Sequence, residues 1–534
     1  MTSAHKNLRA FATITLGVCA VLMLGNTLSK GAIHDEEQYV FAGLLSVDRS
    51  LYSDFIYLQT PNLPLLLSAV FTPLDGYYFA AARLVSWAFN AGSMLIVFLL
   101  GRRLSGSIYA ATILAMLFAT STLLLHTLSS ARNDVMPCFF MLLSLLFLHL
   151  ARRPGTPTEE ISGTKWRAAI LCGLCGLSAA VAVGTKISYG FLPVVVFVFL
   201  MFGPDERWLK RLQWRVIPYL AGGVIGAAPI IYYATTAWDQ FYFQNFTYHL
   251  TAPIDWYTRN DFAYKLDLKY RIREAFSVLN RDAVVVGAVF VLFVLIFRYV
   301  NGGARALWLV VRDRFTSLFL VLIFAALVFS LLPTPAHRQY FVPVVPLLLL
   351  LVACMYAFGA VAGRAVMASL FAAIALVSSA PGVAALANAS IKNFVKPPAT
   401  ERVNQTAVAM RQAIRAAGTS GKIATLSPIR VIDAGLSVYP EFASGPFFYR
   451  TADRLDAATV RRQNGVSAKT LAGFLDRNPP AAIFTGFETD SLWKHAPDAA
   501  LEAYATTRGY VLVPGEFGGG RLFLRLPATK PARP

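Results

Sequence analysis

The chain has 534 residues, 56% of them hydrophobic and only 14% charged. That proportion excludes an ordinary soluble protein of this size, whose surface must be largely polar. The net charge of +19 does not point to nucleic acid, because no basic run sits on a polar domain with interleaved aromatics. It fits basic inner loops and attraction to anionic lipid.

From the N-terminus, His5, Lys6 and Arg9 precede the apolar run Phe11 to Leu28. A signal peptide has this shape, but no A-x-A site follows, so an uncleaved first span is expected. Roughly 20 apolar residues are needed for each crossing. On that measure, spans are expected over residues 9–28, 78–100, 107–126, 134–151, 168–185, 187–203, 216–234, 283–299, 315–333, 339–358 and 363–386. The fold class expected is thus an α-helical polytopic membrane protein of about eleven spans with a small C-terminal soluble α/β domain.

With the N-terminus in the cytoplasm, the inner loops receive Arg102, Arg103, Arg152, Arg153, Lys165, Arg167, Arg207, Lys210, Arg211, Arg215, Arg298, Arg305, Arg312, Arg314 and Arg364. Every such loop is basic, as the positive-inside tendency requires. An odd number of spans then leaves the C-terminal domain outside the cytoplasmic membrane. All five cysteines, Cys19, Cys138, Cys172, Cys175 and Cys354, lie in apolar runs. Cys172 and Cys175 form a CxxC inside a span without partners at metal spacing, which reads as packing.

The transmembrane part is expected to occupy 1–397, with outer loops 29–77 and 235–282. Both loops are rich in aromatic residues and leucine and read as short amphipathic helices at the interface. In the first, Tyr39, Val40, Gly43 and Leu44 follow helical spacing, and Pro61 and Pro64 interrupt the chain before Leu65–Leu67. The soluble domain, 398–534, begins with a helix over Glu401–Ala417. Strands follow at Lys422–Leu426, Ala481–Thr485, Tyr510–Val513 and Arg521–Leu526, and further helices run from a Ser467 cap to Asn478 and near Asp498–Arg508. A Pro/Lys/Ala tail closes the chain.

The sharpest chemical feature is His34-Asp35-Glu36-Glu37-Gln38-Tyr39, just after the first span. Adjacent carboxylates at a membrane surface repel each other and resist burial. An acidic first turn complementing a helix dipole is the structural alternative. About twenty residues on stands Tyr52-Ser53-Asp54-Phe55-Ile56-Tyr57, followed by Pro61-Asn62-Leu63-Pro64. Ala131-Arg132-Asn133-Asp134 opens the fourth span, and His337-Arg338-Gln339-Tyr340-Phe341-Val342-Pro343 leads into a late one.

These four motifs, in this order, resemble the polyprenyl-phosphate-sugar-dependent glycosyltransferases of GT-C type, whose familiar members are the protein O-mannosyltransferases and the lipid A aminoarabinose transferases. The resemblance covers roughly residues 8–360. It implies a polyprenyl-phosphate-linked sugar as donor, membrane lipids around it, and a glycan, lipid or protein as acceptor, with no nucleic acid. It also implies that the catalytic carboxylate is Asp35, with Glu36 beside it. Adjacent helical residues point about 100° apart, so Glu36 is assigned to orienting donor or acceptor. Asp54, Tyr57, Tyr340 and His337 are candidate substrate-binding residues. A capping role is the alternative for Asp54.

A departing lipid phosphate needs positive charge. Lys269, Arg271 and Arg273 in the second outer loop, with Arg259 and Lys265, supply it against the positive-inside tendency. Arg338 enters a span from the outer side. Head-group binding and interfacial snorkelling are the structural alternatives, and Arg132 and Lys186 have the same dual reading. Trp238 and Trp256 read first as an interfacial belt. No phosphate-binding GxxxxGK[ST], HExxH or GxSxG with partners occurs. A divalent metal ion is compatible with the Asp-Glu pair, but the chemistry does not demand one. The rival reading is a non-enzymatic transporter or flippase of lipid-linked saccharides. The mid-span runs are clean and the notable charges sit at the outer interface, whereas transporters usually carry charge at mid-membrane.

Overall fold

A computed structural model of the chain describes residues 3–151, 162–202, 207–489, 494 and 496–526. Arg152 and Arg153 of the expected inner loops, and the tail after Leu526, lie outside the described residues. The chain divides into two compact units. The first comprises Met1–Thr27, Ser86–Pro229 and Leu268–Phe394; the second comprises Leu28–Val85, Ile230–Asp267 and Val395–Pro534.

The first unit is helical. Each of the eleven expected segments is occupied by helix, but the helices differ in length. Across the described residues, seven are long and apolar enough to cross a membrane: Lys6–Ser29, Tyr78–Ser105, Lys165–Thr185, Asp282–Arg312, Arg314–Leu331, Arg338–Gly359 and Ala365–Ala416, the last of which takes in the helix Ala399–Ala416 of the second unit. Trp208–Gly226 and Ala228–Thr236 make an eighth if their 52° bend belongs to one span. The other three expected spans are the shorter apolar helices Ile108–Thr120, Val135–Leu150 and Ile187–Met201. The protein is a multi-pass membrane protein.

The core of this unit is a continuous apolar cluster that includes Val97, Leu114, Leu142, Leu192, Phe290, Leu322 and Leu350. Small residues let two helices approach closely, as is common where lipid offers no hydrophobic drive to association. A methyl group on Gly176 would collide with the Tyr219 carbonyl, and one on Gly222 with the Gly173 carbonyl. Cys172 and Cys175 sit on Lys165–Thr185, the helix that carries Gly173 and Gly176, buried and unbridged. Gly303, at φ 60° and ψ −161°, interrupts helical geometry inside Asp282–Arg312. That break follows the expected end of this span at residue 299.

The second unit gathers the C-terminal segment with most of the two outer stretches. Its four-stranded sheet has the order β1-β2-β4-β3, from Ile423–Ala424, Ala482–Thr485, Val511–Leu512 and Arg521–Leu524. β1 and β2 run parallel, and the other pairs are antiparallel. The helices Ala399–Ala416 and Ala499–Thr507 fall where they were expected. The Ser467 cap does not. Ser467 and Thr470 bond each other's side chains and amides, and the helix starts after Thr470, at Leu471. Pro64 does not interrupt the first outer stretch either. It lies in the opening turn of the helix Asn62–Phe71, where an absent N–H costs nothing.

Gln244 ties the three segments of this unit together. It is fully buried. Its side-chain carbonyl accepts the Tyr57 amide at 2.8 Å, and its amide donates to Gln463 at 2.9 Å. Ile56, Leu58, Tyr248, Phe448 and Val460 pack beside it.

Candidate active site

The acidic motif opens the helix His34–Leu45, with Asp35, Glu36 and Glu37 in its first turn. Carboxylates there face the positive end of the helix dipole, so the local reading of the motif holds. The three nevertheless meet different surroundings within the second unit.

Glu36 is fully buried and paired with Arg83, itself fully buried. Arg83 Nε donates to Glu36 Oε1 at 2.5 Å and Nη2 to Oε2 at 2.6 Å, the two-pronged geometry that suits guanidinium and carboxylate. Glu36 also accepts the Ile33 amide at 3.2 Å. Arg83 donates onward to the carbonyls of Lys30 and Gly31, both at 3.2 Å. A buried pair of this kind is costly to break, because one charge would be stranded. Its geometry fixes the turn that carries Asp35.

Glu37 is also buried and accepts the Ile429 amide at 2.7 Å. Burial pushes its carboxyl up to about 8, with Arg430 and the Ile429 bond acting the other way and Glu36 and Glu488 adding to the rise. His34, half exposed, lies 3.7 Å from Asp35 and 3.9 Å from the buried carboxylate of Glu488. Its ring meets Phe447 edge-on at 5.6 Å.

Asp35 itself keeps 20% of its side chain accessible. Its charge raises the pKa of Tyr257, already raised by burial, while Arg450 lowers it. Arg450 lies 4.9 Å over the ring of Trp256 and 4.8 Å over Phe447. Aromatic surface and a cation therefore stand in the same neighbourhood as the accessible carboxylate. Trp256, expected in an interfacial belt, is buried at 2% exposure.

Tyr57 is fully buried, and its hydroxyl has no hydrogen-bond partner among the described residues. Asp54 is exposed and accepts the Ser50 amide at 2.7 Å, closing a local turn. That is the capping alternative for this residue.

The first unit holds the other candidates. A cleft of about 470 Å³ is lined by His126, Tyr270, Glu274, Arg281, His337 and Arg338 among others. Arg338 is half exposed there and paired with Glu274 at 3.1 Å. Tyr340 lies beyond His337, its ring 5.8 Å away, and 4.9 Å from the Lys186 ammonium. Lys186 and Arg132 both pair with the buried Asp134. Arg271 donates to the Leu331 carbonyl at 3.3 Å and to the Thr334 hydroxyl. Arg273 and Lys269 are exposed, Arg273 standing 5.0 Å over Tyr270.

As to a divalent metal, no three His, Cys, Asp or Glu side chains converge as a ligand set among the described residues. Glu36 is already committed to Arg83. Arg83, Arg430, Arg450 and Tyr257 escaped the sequence reading, and Glu37 was read only as one of three consecutive carboxylates, without a role of its own. Of the four, Arg83 left a signal, as a lone cation within an apolar span.

The apolar helices and the small C-terminal sheet make up a fold of GT-C type. Residues 58–233 match the family model of dolichyl-phosphate-mannose-protein mannosyltransferases. Among solved structures, ArnT from Cupriavidus metallidurans bound to undecaprenyl phosphate superposes with a TM-score of 0.62 at 13% identity, covering 96% of this chain and 98% of that one. The same protein in the apo state gives 0.60 at 12% identity, with the same coverage. The apo oligosaccharyltransferase of Archaeoglobus fulgidus gives 0.50 at 12% identity, covering 92% of this chain and 71% of that one. A search of curated protein sequences finds no match.

Proposed function

We propose that this protein transfers a sugar from a polyprenyl phosphate to an acceptor hydroxyl outside the cytoplasmic membrane. The observation that carries the reading is the state of the acidic turn. Glu36 and Glu37 are buried against Arg83 and the Ile429 amide, while Asp35 keeps 20% of its side chain accessible, 3.7 Å from His34 and with its charge felt by Tyr257. ArnT of Cupriavidus metallidurans holds undecaprenyl phosphate, which supports a carrier of that class here.

In this mechanism Asp35 is the general base. It takes the proton of the acceptor hydroxyl as that oxygen attacks the anomeric carbon. The bond from this carbon to the phosphate oxygen breaks on the opposite face, so the configuration inverts. The lipid phosphate departs as a monoester with one more negative charge. Glu36 serves by orientation, its carboxylate being occupied by Arg83. Arg338 is the favoured phosphate ligand, because it is half exposed and lines the cleft. Arg271 is engaged with the 331–334 segment. Lys269 and Arg273 suit lipid head groups. The acceptor is an envelope glycan, a lipid or a protein.

The test is release of free undecaprenyl phosphate by purified protein given an undecaprenyl-phosphate-linked sugar. A flippase without transferase activity would release none. Asp35→Asn keeps the shape and removes the base, and should slow release by about 10²–10⁴-fold. Arg338→Gln should lower turnover more than donor binding, because a phosphate ligand holds the departing dianion more tightly than the diester. Near-normal release by the Asn variant would remove Asp35 from the mechanism.

A further inference from the structure

Glu37 is the one carboxylate of the acidic turn to which the proposed reaction gives no task. It is 3% exposed. Its partner, the Ile429 amide, opens the short helix Ile429–Ile432 directly after Pro428. Such an amide has no acceptor within its own helix, and Glu37 provides one from a position 392 residues away in sequence. Gly445 closes over the same side chain. Its φ is +56°, and a Cβ there would sit 3.3 Å from the Glu37 Cβ.

The contact extends along the turn. Arg430 packs over Phe487 at 3.8 Å, and the next residue, Glu488, stands 3.9 Å from His34. Phe447 meets the His34 ring. Three stretches of the C-terminal domain therefore hold His34 and Glu37, while Arg83 holds Glu36. Asp35 is the residue between these fixed neighbours.

We propose that Glu37 is a positioning residue, through which the Ile429 amide makes the C-terminal domain part of the device that orients Asp35. The inference rests on the reading of Asp35 as the base. Its essential property is the acceptor oxygen at the right reach. Gln supplies such an oxygen, Ala has none, and Asp is one methylene too short.

The test uses the full-length protein. Asp35→Cys is introduced alone and together with Glu37→Ala, Glu37→Asp or Glu37→Gln, and its reaction with a water-soluble methanethiosulfonate is timed. The five native cysteines are buried and give little background. Loss of one hydrogen bond should change the labelling rate about tenfold in the Ala and Asp forms, while the Gln form stays within about twofold of the parent. With Asp35 restored, release from an undecaprenyl-phosphate-linked sugar should fall by about 10²-fold in kcat for Glu37→Ala, as for other small misplacements of a reacting group. KM should move little, and Glu37→Gln should recover the rate. If the Ala form fails to fold, the Asp form decides. Equal labelling across the series overturns the proposal. The expected labelling pattern without sugar release from any preparation would support the positioning contact and count against the transferase reading alone.

Discussion

Glu37 gives the molecule a pH dependence whose sign follows from its surroundings. Its carboxyl titrates near 4.5 when free and is held at about 8 in the fold, chiefly by burial. The folded state therefore binds the proton more tightly. Its contribution to stability is complete below about 4.5 and is lost as pH rises toward 8. Glu37→Gln mimics the protonated form and should flatten thermal stability against pH across that window. A slope unchanged in the Gln variant would assign the dependence to other groups, of which Asp433, raised to about 6, is the next. The neighbouring carboxylate has a different partner. Glu36 has a two-pronged cation at 2.5 and 2.6 Å, whereas Glu37 is hydrogen-bonded by one neutral amide, with the Arg430 charge acting on it as well. The order of three acidic letters does not reveal this. Arg83 is 47 residues from Glu36, and Ile429 is 392 residues from Glu37.

Among the elements, the helix pair Lys165–Thr185 and Trp208–Gly226 shows how glycine sets a membrane interface. Gly176 faces the Tyr219 carbonyl with no room for a side chain. Gly176→Leu should force the pair apart and lower the melting temperature in detergent, at a cost of about 1–3 kcal/mol or more. Gly17→Leu is the control, since nothing lies within 4 Å of a Cβ built there, and it should leave melting unchanged. Equal effects of both would mean that helix propensity, not packing, governs the response. The CxxC on the same helix was legible as packing, because a span offers it no ligand partners. The late start of the helix at Leu471 was not, because Ser467 and Thr470 bond each other before the helix begins.

For the whole molecule, the basic loops and the parity of the spans predict a C-terminal domain outside the cytoplasm. Ala468 is exposed and Ser467 is buried, so the probe belongs at 468. Ala468→Cys should react with a membrane-impermeant thiol reagent in cells whose outer barrier alone is permeabilised. Arg102→Cys should react only once the inner membrane is opened. The reverse pattern would mean the orientation is inverted, and labelling of both from one side would mean that a span was miscounted. The three short helices are where such a miscount would arise, because Ile108–Thr120 has only 13 residues and a straight crossing needs roughly 20.

The membrane class, the places of the apolar helices and of the four strands, and the acidic turn after the first span were legible in the sequence alone. Each is a local property: an apolar run, an alternation, or a cluster of charge beside a hydrophobic boundary. Tertiary structure decided which carboxylate remains accessible, which cations are already engaged, and that residues 28–85 and 230–267 fold with the C-terminal segment as one unit. Those outcomes depend on burial and on partners far apart in the chain. The same Asp, Glu or Arg becomes a base, a clamp or a lipid anchor according to what is packed against it.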